Sequence, residues 1–289
     1  MDATVQLLLS SLAVGAIYGT IGIAFVMVHK MTGMVNFAQG DIAVAGAFAA
    51  VVASAYVPPL VAILIGGVAG GIVSVIMYAL ALHPLRKRSL LVQTIVTLGV
   101  GIAIRSILQL IFGTTPYQFA PVNPGGPLVI LGGVVSYQAL WILGIALLSF
   151  IGLTLFLTRT MTGRALSACA INPYAAGVVG INLTLMAVIA FALSGLVAGA
   201  VVAAEAPSSF ITVSAGFALG LKGFVAAILG GFEKLGLTLI GGFLIALVEV
   251  FAGVWISTTY ASAIVFGLLI VMLIVRPQGL SRKLVTERV

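Results

Sequence analysis

The chain has 289 residues, of which 62% are hydrophobic and 7% charged, and its formal net charge is +7. A soluble domain carries about 25% charged residues, so this composition, with a mean hydropathy of +1.31, excludes that class and identifies an integral membrane protein. The basic excess sits at the ends of apolar segments, which argues against nucleic-acid binding, and a single cysteine, Cys169, excludes an internal disulfide.

An apolar run follows Met1-Asp2 directly, without a basic leader, so the expectation is a full span and no cleavable signal. Candidate spans cover 5–28, 37–56, 60–82, 90–112, 137–158, 184–204, 217–232, 235–254 and 260–275. Most approach the roughly 20 residues that a helix needs to cross a bilayer, and none has the alternation of a barrel strand. The predicted fold is an all-α polytopic membrane protein, a single transmembrane domain over 1–289.

Segment 217–232 is short and glycine-rich, and a re-entrant dip is the alternative there. The positive-inside rule separates the two. With nine crossings the N-terminus lies outside and the C-terminus is cytoplasmic. Lys30, Arg86-Lys87-Arg88, Arg159, Arg164, Lys234, Arg276, Arg282, Lys283 and Arg288 then all face the cytoplasm. A dip would turn Lys234 and the 276–288 basic run outward, so nine crossings are predicted. Clustered glycines in Gly66-Gly67-Val68-Ala69-Gly70-Gly71 and Gly195-Leu196-Val197-Ala198-Gly199 predict close helix–helix packing.

The polar interruptions carry the functional information. Asn36 with Gln39 three residues on reads as a capping pair for the second span, with Asp41 near the positive helix end. The other reading is that this polar start lines a translocation path. Pro58-Pro59 marks the first outer turn. Arg105 and Glu249 lie inside spans, where charge is costly. They are expected to pair with each other or with a neighbouring subunit, or to act in conduction. The largest outer segment, 113–136, holds two β-branched runs around Gly132-Gly133, the pattern of a small hairpin. It fits a landing surface for an external partner and equally a plain loop.

Arg159 to Asn182 is the least membrane-like stretch in the middle of the chain. It reads as a short helix from about Gly163 to Ile171, a bend at Asn172-Pro173 and a second helix from about Tyr174. Two angled helices at a membrane surface suit a docking feature, and a connecting loop is the other reading. Glu205 and Lys222 fall near the outer face, where interfacial anchoring is the simplest role. No GxxxxGK[ST] loop occurs, and His29 and His83 lack ligand-spaced partners, so neither ATP hydrolysis by this chain nor a metal site is expected.

Four stretches, taken together, carry a resemblance: Gly33 to Gly40, Gly163 to Asn182, Gly220-Leu221-Lys222 to Gly230-Gly231, and Arg276-Pro277-Gln278-Gly279-Leu280. With them the chain resembles the permease subunits of ABC importers for branched-chain amino acids, the high-affinity Liv-type family. The sequence departs from the family's pattern at Gln39, where some relatives carry His, and around Ile171 and Asn172, where many carry acids. The resemblance implies a second permease subunit, similar or identical, two cytoplasmic ATPase subunits holding ATP and magnesium, and an external solute-binding protein. It implies an inner-membrane location, no cofactor on this chain and no enzymatic activity of its own. It further implies that 159–182 couples to the ATPases, with Arg159, Gly163, Arg164, Ala165, Asn172, Pro173, Ala176 and Gly180 as contact candidates. Asn36, Gln39, Asp41, Arg105, Glu205, Lys222 and Glu249 remain path-lining or structural. The main rival, a stand-alone secondary transporter of a small polar solute, normally shows intramembrane acidic relays, and here only Glu249 lies deep in a span.

Overall fold

Apolar runs punctuated by proline, glycine and capping side chains build a helical bundle in a computed structural model, which describes residues 3–130 and 132–275. The Arg276–Leu280 motif and the basic residues Arg276, Arg282, Lys283 and Arg288 lie outside the described residues. Helix α1 spans Ala3–Thr32, α2 Gln39–Ala53, α3 Pro59–Met77 and α4 Leu90–Phe112. A two-stranded hairpin, β1 Leu128–Ile130 and β2 Gly133–Val135, precedes α5 Tyr137–Arg159. Two short helices follow, α6 Met161–Ile171 and α7 Pro173–Val178. The chain then builds α8 Leu183–Glu205, α9 Ala215–Leu229, α10 Leu235–Trp255 and α11 Thr258–Val275.

Six helices among the described residues are long and apolar enough to cross a membrane: α1, α3, α4, α5, α8 and α10. The other three predicted spans form shorter apolar helices, α2, α9 and α11. Helix α3 does not stop at Met77 but relaxes through a π-helical turn, Tyr78–Leu82, and a 3₁₀ turn, His83–Leu85. Ser89, Ser136, Thr160, Asn172 and Asn182 each cap a helix by accepting a hydrogen bond from a backbone N–H three residues on.

Glycine decides the core packing. The most extensive helix pair is α3 on α8. There Gly66 and Gly70 lie against Gly195, Gly199 and Ala203, so closely that a Cβ on Gly70 would stand 2.5 Å from the Gly195 carbonyl oxygen. The two glycine clusters singled out in the sequence are thus each other's partners. In a bilayer, where burial of apolar surface gives little preference for one helix neighbour over another, such backbone contact supplies the dispersion energy that holds helices together. Helix α1 runs through the centre and touches α5, α8, α9 and α10. At one end of the bundle Gln6 on α1 meets the hairpin edge: its amide donates to the Val134 carbonyl at 3.0 Å and accepts from the Val134 N–H at 2.7 Å. At the other end, α6 and α7 fold beneath α1, α5 and α8.

A candidate translocation site and its elbow

Helix α2 begins inside the bundle, with Gln39, Gly40 and Asp41 buried, and its first turn meets Gly216 and Gly220 near the start of α9. A Cβ added to Gly40 would come within 2.6 Å of the Gly220 nitrogen, and one on Gly216 within 2.6 Å of Asp41 Oδ1. Only glycine allows two backbones this close. Two positive helix ends therefore converge on one place, and Asp41, in the first turn of α2, supplies the negative charge there. Arg105 reaches the same carboxylate from α4, with Nε and Nη2 both 3.0 Å from Oδ1 and Nη2 3.0 Å from Oδ2. Its guanidinium also stands over the Phe217 ring of α9, 5.4 Å from the centroid. The Asp41 side chain is 3% exposed and that of Arg105 27%, so the pair is nearly withdrawn from its surroundings.

Arg105 belongs to a wider pattern. Gln93, Thr97, Gly101 and Arg105 recur at four-residue spacing, and this stripe is the side of α4 turned to the protein. Much of the rest of the helix is apolar and open, including Ile95, Ile102, Leu110 and Ile111. Thr97 accepts a hydrogen bond from the Phe37 N–H at 3.0 Å. Helix α4 is therefore attached to the body by polar contacts along one side, an arrangement that suits a helix bordering a solute path.

The entry to α2 corrects the capping reading. Asn36 is not the N-cap: the helix starts at Gln39 with Ala38 in the cap position and no side-chain cap. Asn36 instead closes a turn, its Oδ1 accepting from the Ala38 N–H at 3.2 Å. Its amide donates to Gln39 Oε1 at 3.2 Å, and Gln39 donates to the Ser194 carbonyl of α8 at the same distance. Both side chains are fully buried, so this polar run is a joint between elements.

The second cluster corrects two further expectations. Arg105 and Glu249 do not pair with each other; Glu249 on α10 pairs with Lys222 on α9. Lys222 is not an interfacial anchor, for its side chain is mostly buried and also donates to the Tyr18 hydroxyl at 3.0 Å. Ser262 of α11 donates to Glu249 Oε1 at 3.3 Å, and among the described residues Glu249 Oε2 is buried without a hydrogen-bond partner. Glu205, at the end of α8, accepts from Ser209 at 3.2 Å. Four helices thus share one polar knot inside the bundle.

Tyr18, Thr97, Gln138 and Ser194 went unremarked in the sequence. Gln138 donates to the Ala204 carbonyl at 2.6 Å, tying α5 to α8. The available signal was simply an uncharged polar residue within an apolar helix, which must find a partner where water is absent.

At the far end the 159–182 segment forms the angled pair expected of it. Asn172 breaks the chain between α6 and α7 with extended backbone, caps α7 through its Oδ1 and precedes Pro173 at the first helical position. Gly163 and Leu166 seat α6 on the bundle, and Gly163 lies directly against the Phe156 and Leu157 backbone. Ala176 is buried on α7, while Gly180 takes a φ of 88° that ends the segment. Arg159, Arg164, Asn172 and Pro173 are exposed and Ala165 is half-buried. Ile171 and Tyr174 are 86% and 83% exposed, with Val178 and Val179 beside them. An elbow that turns apolar and basic side chains outward has the composition of a contact surface. Behind it a cavity of about 580 Å³ lies between α6, the end of α1 and the α9–α10 turn. In that turn Phe232 holds a left-handed φ of 55° and packs on His29, with ring centroids 4.7 Å apart.

The chain is a bundle of apolar helices with two buried ion pairs and a helical elbow at one end, the build of a multi-pass membrane protein. The chain belongs to the family of permease components of branched-chain amino acid transport systems, whose sequence profile matches residues 7–274. It is 30% identical over 299 aligned residues to the permease protein BraD of a high-affinity branched-chain amino acid transport system in Pseudomonas aeruginosa. That match covers 98% of this chain and 97% of the relative. The corresponding Escherichia coli protein, LivH, is 28% identical over 98% of this chain and 97% of its own length. A similar protein of Methanocaldococcus jannaschii is 28% identical over 90% of this chain and 87% of its own. Among solved structures, a metal-chelate type ABC transporter in an inward-facing conformation aligns with a TM-score of 0.52 at 17% identity. The alignment covers 93% of this chain and 86% of that one, a likeness of fold.

Proposed function

We propose that this chain is the membrane-spanning subunit of an ATP-driven importer for branched-chain or related hydrophobic amino acids. The observation that carries the reading is the family match along nearly the whole chain, 7–274, which takes in both the buried ion pairs and the elbow. The chain works beside a second permease subunit, similar or identical, and an external binding protein. Two ATPase subunits bind ATP and magnesium, and this chain contributes motion and a path, with no cofactor of its own. The setting is the inner membrane, crossed nine times, with the N-terminus outside and the C-terminus in the cytoplasm. The gathering of Lys30, Arg86, Arg159, Arg164 and Lys234 at the elbow end supports that orientation.

The 159–182 elbow is the coupling segment, gripped by the ATPase at Ile171, Tyr174 and Arg164. Asp41–Arg105 and Lys222–Glu249, with Asn36, Gln39 and Glu205, belong to or border the translocation path. The test replaces Arg164→Glu and Tyr174→Ala and follows ATPase co-purification and leucine uptake into proteoliposomes. Both should fall at least tenfold, since one charge reversed or one aromatic anchor lost at an interface costs about 2 kcal/mol. Uptake that continues without nucleotide on an ion gradient would instead identify a secondary transporter.

A further inference from the structure

A second cavity, of about 570 Å³, opens at the elbow end on the other side of α1 from the first. Its rim carries Arg86, Lys87 and Arg88, with Gln93 on α4, Thr184 on α8 and Thr32 at the end of α1. Among the described residues no acidic side chain lines it. Arg86 is held in place: its Nη1 lies 3.4 Å from Thr184 Oγ1 and 3.2 Å from His83 Nε2. Helix α4 begins at this rim, with Leu90 of its first turn lining the cavity. Three cations thus share one polar rim on which, among the described residues, no acid stands.

The inner wall is of the opposite character. Met34, Tyr78, Leu82 and Phe191 line it, and outside the mouth Leu80, Leu90 and Leu91 are exposed along the π-turn and the first turn of α4. A basic rim over an apolar wall, next to exposed leucines at the head of a membrane helix, is complementary to an amphiphile with an anionic head. The positive-inside rule accounts for basic residues at this end, but not for their convergence on a concave, acid-free site. We propose that this cavity binds the phosphate headgroup of an anionic phospholipid, whose acyl chains lie along the outer side of α3 and α4. Pro173 of α7 lines the same cavity, so the bound headgroup touches the elbow and stiffens its seat against α1.

The test uses the full-length chain in detergent and native mass spectrometry, with cardiolipin and phosphatidylglycerol compared against phosphatidylcholine. The wild-type chain should retain the anionic lipids preferentially. The combined variant R86Q/K87Q/R88Q should bind them about 100-fold more weakly, at about 1 kcal/mol for each basic residue removed near an anionic surface. R86K/R88K should hold them nearly as well as the wild type, and Lys234→Gln, a basic residue at the same end outside the cavity, should change nothing. Equal retention by R86Q/K87Q/R88Q, or no preference for anionic over zwitterionic lipid, would overturn the proposal. Displacement of the lipid by millimolar inorganic phosphate would overturn it in favour of a soluble anion. Loss of ATPase capture with lipid retention unchanged would show a protein-docking face instead.

Discussion

Asp41 and Arg105 lie 64 residues apart in sequence and share three charge-assisted contacts at 3.0 Å. An unpaired charge within the bundle is far costlier than a paired one, so the two side chains depend on each other. Asp41→Asn should lower stability by about 3–5 kcal/mol by leaving a guanidinium uncompensated. The combined D41N/R105Q variant should recover most of that loss. Thermal unfolding in detergent checks both, and a single variant as stable as the wild type would remove the pair from any structural role. Reading the sequence singled out Arg105 and Glu249 as charges inside spans, because charge inside an apolar run is conspicuous, but put Asp41 at a helix end and Lys222 near the outer face. It left Arg105 open between pairing with Glu249, pairing with a neighbouring subunit and acting in conduction, and it missed Asp41, because which acid faces the guanidinium depends on how α2 and α4 come together. The same limit hid Gln138 and Tyr18, whose importance lies wholly in what they touch.

Elements were far more legible than contacts. The predicted span 90–112 coincides with Leu90–Phe112, and 137–158 and 184–204 differ from their helices by a residue at most at either end. Hydropathy suffices there because every backbone group in a lipid-facing segment must be satisfied within its own helix. It is less exact at α2, where the predicted 37–56 gives way to Gln39–Ala53 with a first turn buried in protein, and at α9, which runs Ala215–Leu229 against a predicted 217–232. The elbow was legible for a different reason: Asn-Pro dictates backbone locally, and the observed break falls on Asn172. Glycine clusters announced tight packing without naming the partner. Gly70→Val should therefore destabilise the bundle by about 1–3 kcal/mol through collision with the Gly195 backbone. Gly99→Val, with nothing within 4 Å of its Cβ position, should be nearly neutral. Melting temperatures of the two variants in one detergent make the comparison, and equal behaviour would contradict the α3–α8 contact.

For the whole molecule, orientation is the proposal with the sharpest consequence. Cys169 is buried and burial pushes its thiol pKa up, so it reacts slowly and makes a quiet background for introduced cysteines. In that background, Tyr56→Cys and Gly126→Cys should react with an impermeant maleimide only from outside, and Tyr174→Cys only from the cytoplasm. Tyr56 and Tyr174 are 85% and 83% exposed, so on the chain expressed without ATPase subunits access is governed by the membrane alone. Labelling of Tyr56→Cys and Tyr174→Cys from one side would refute nine crossings.

Helix α1 links these scales. It has 30 residues, about 45 Å at the α-helical rise, and Gln6 near its start clasps the hairpin while His29 to Thr32 at its end border the cavity behind the elbow. A rod so anchored hardly compresses, and the glycines at 15, 19 and 22 give it smooth bearings against Phe243, Leu239 and Thr238. A pull on the hairpin would thus reach the elbow end along the axis of one continuous helix.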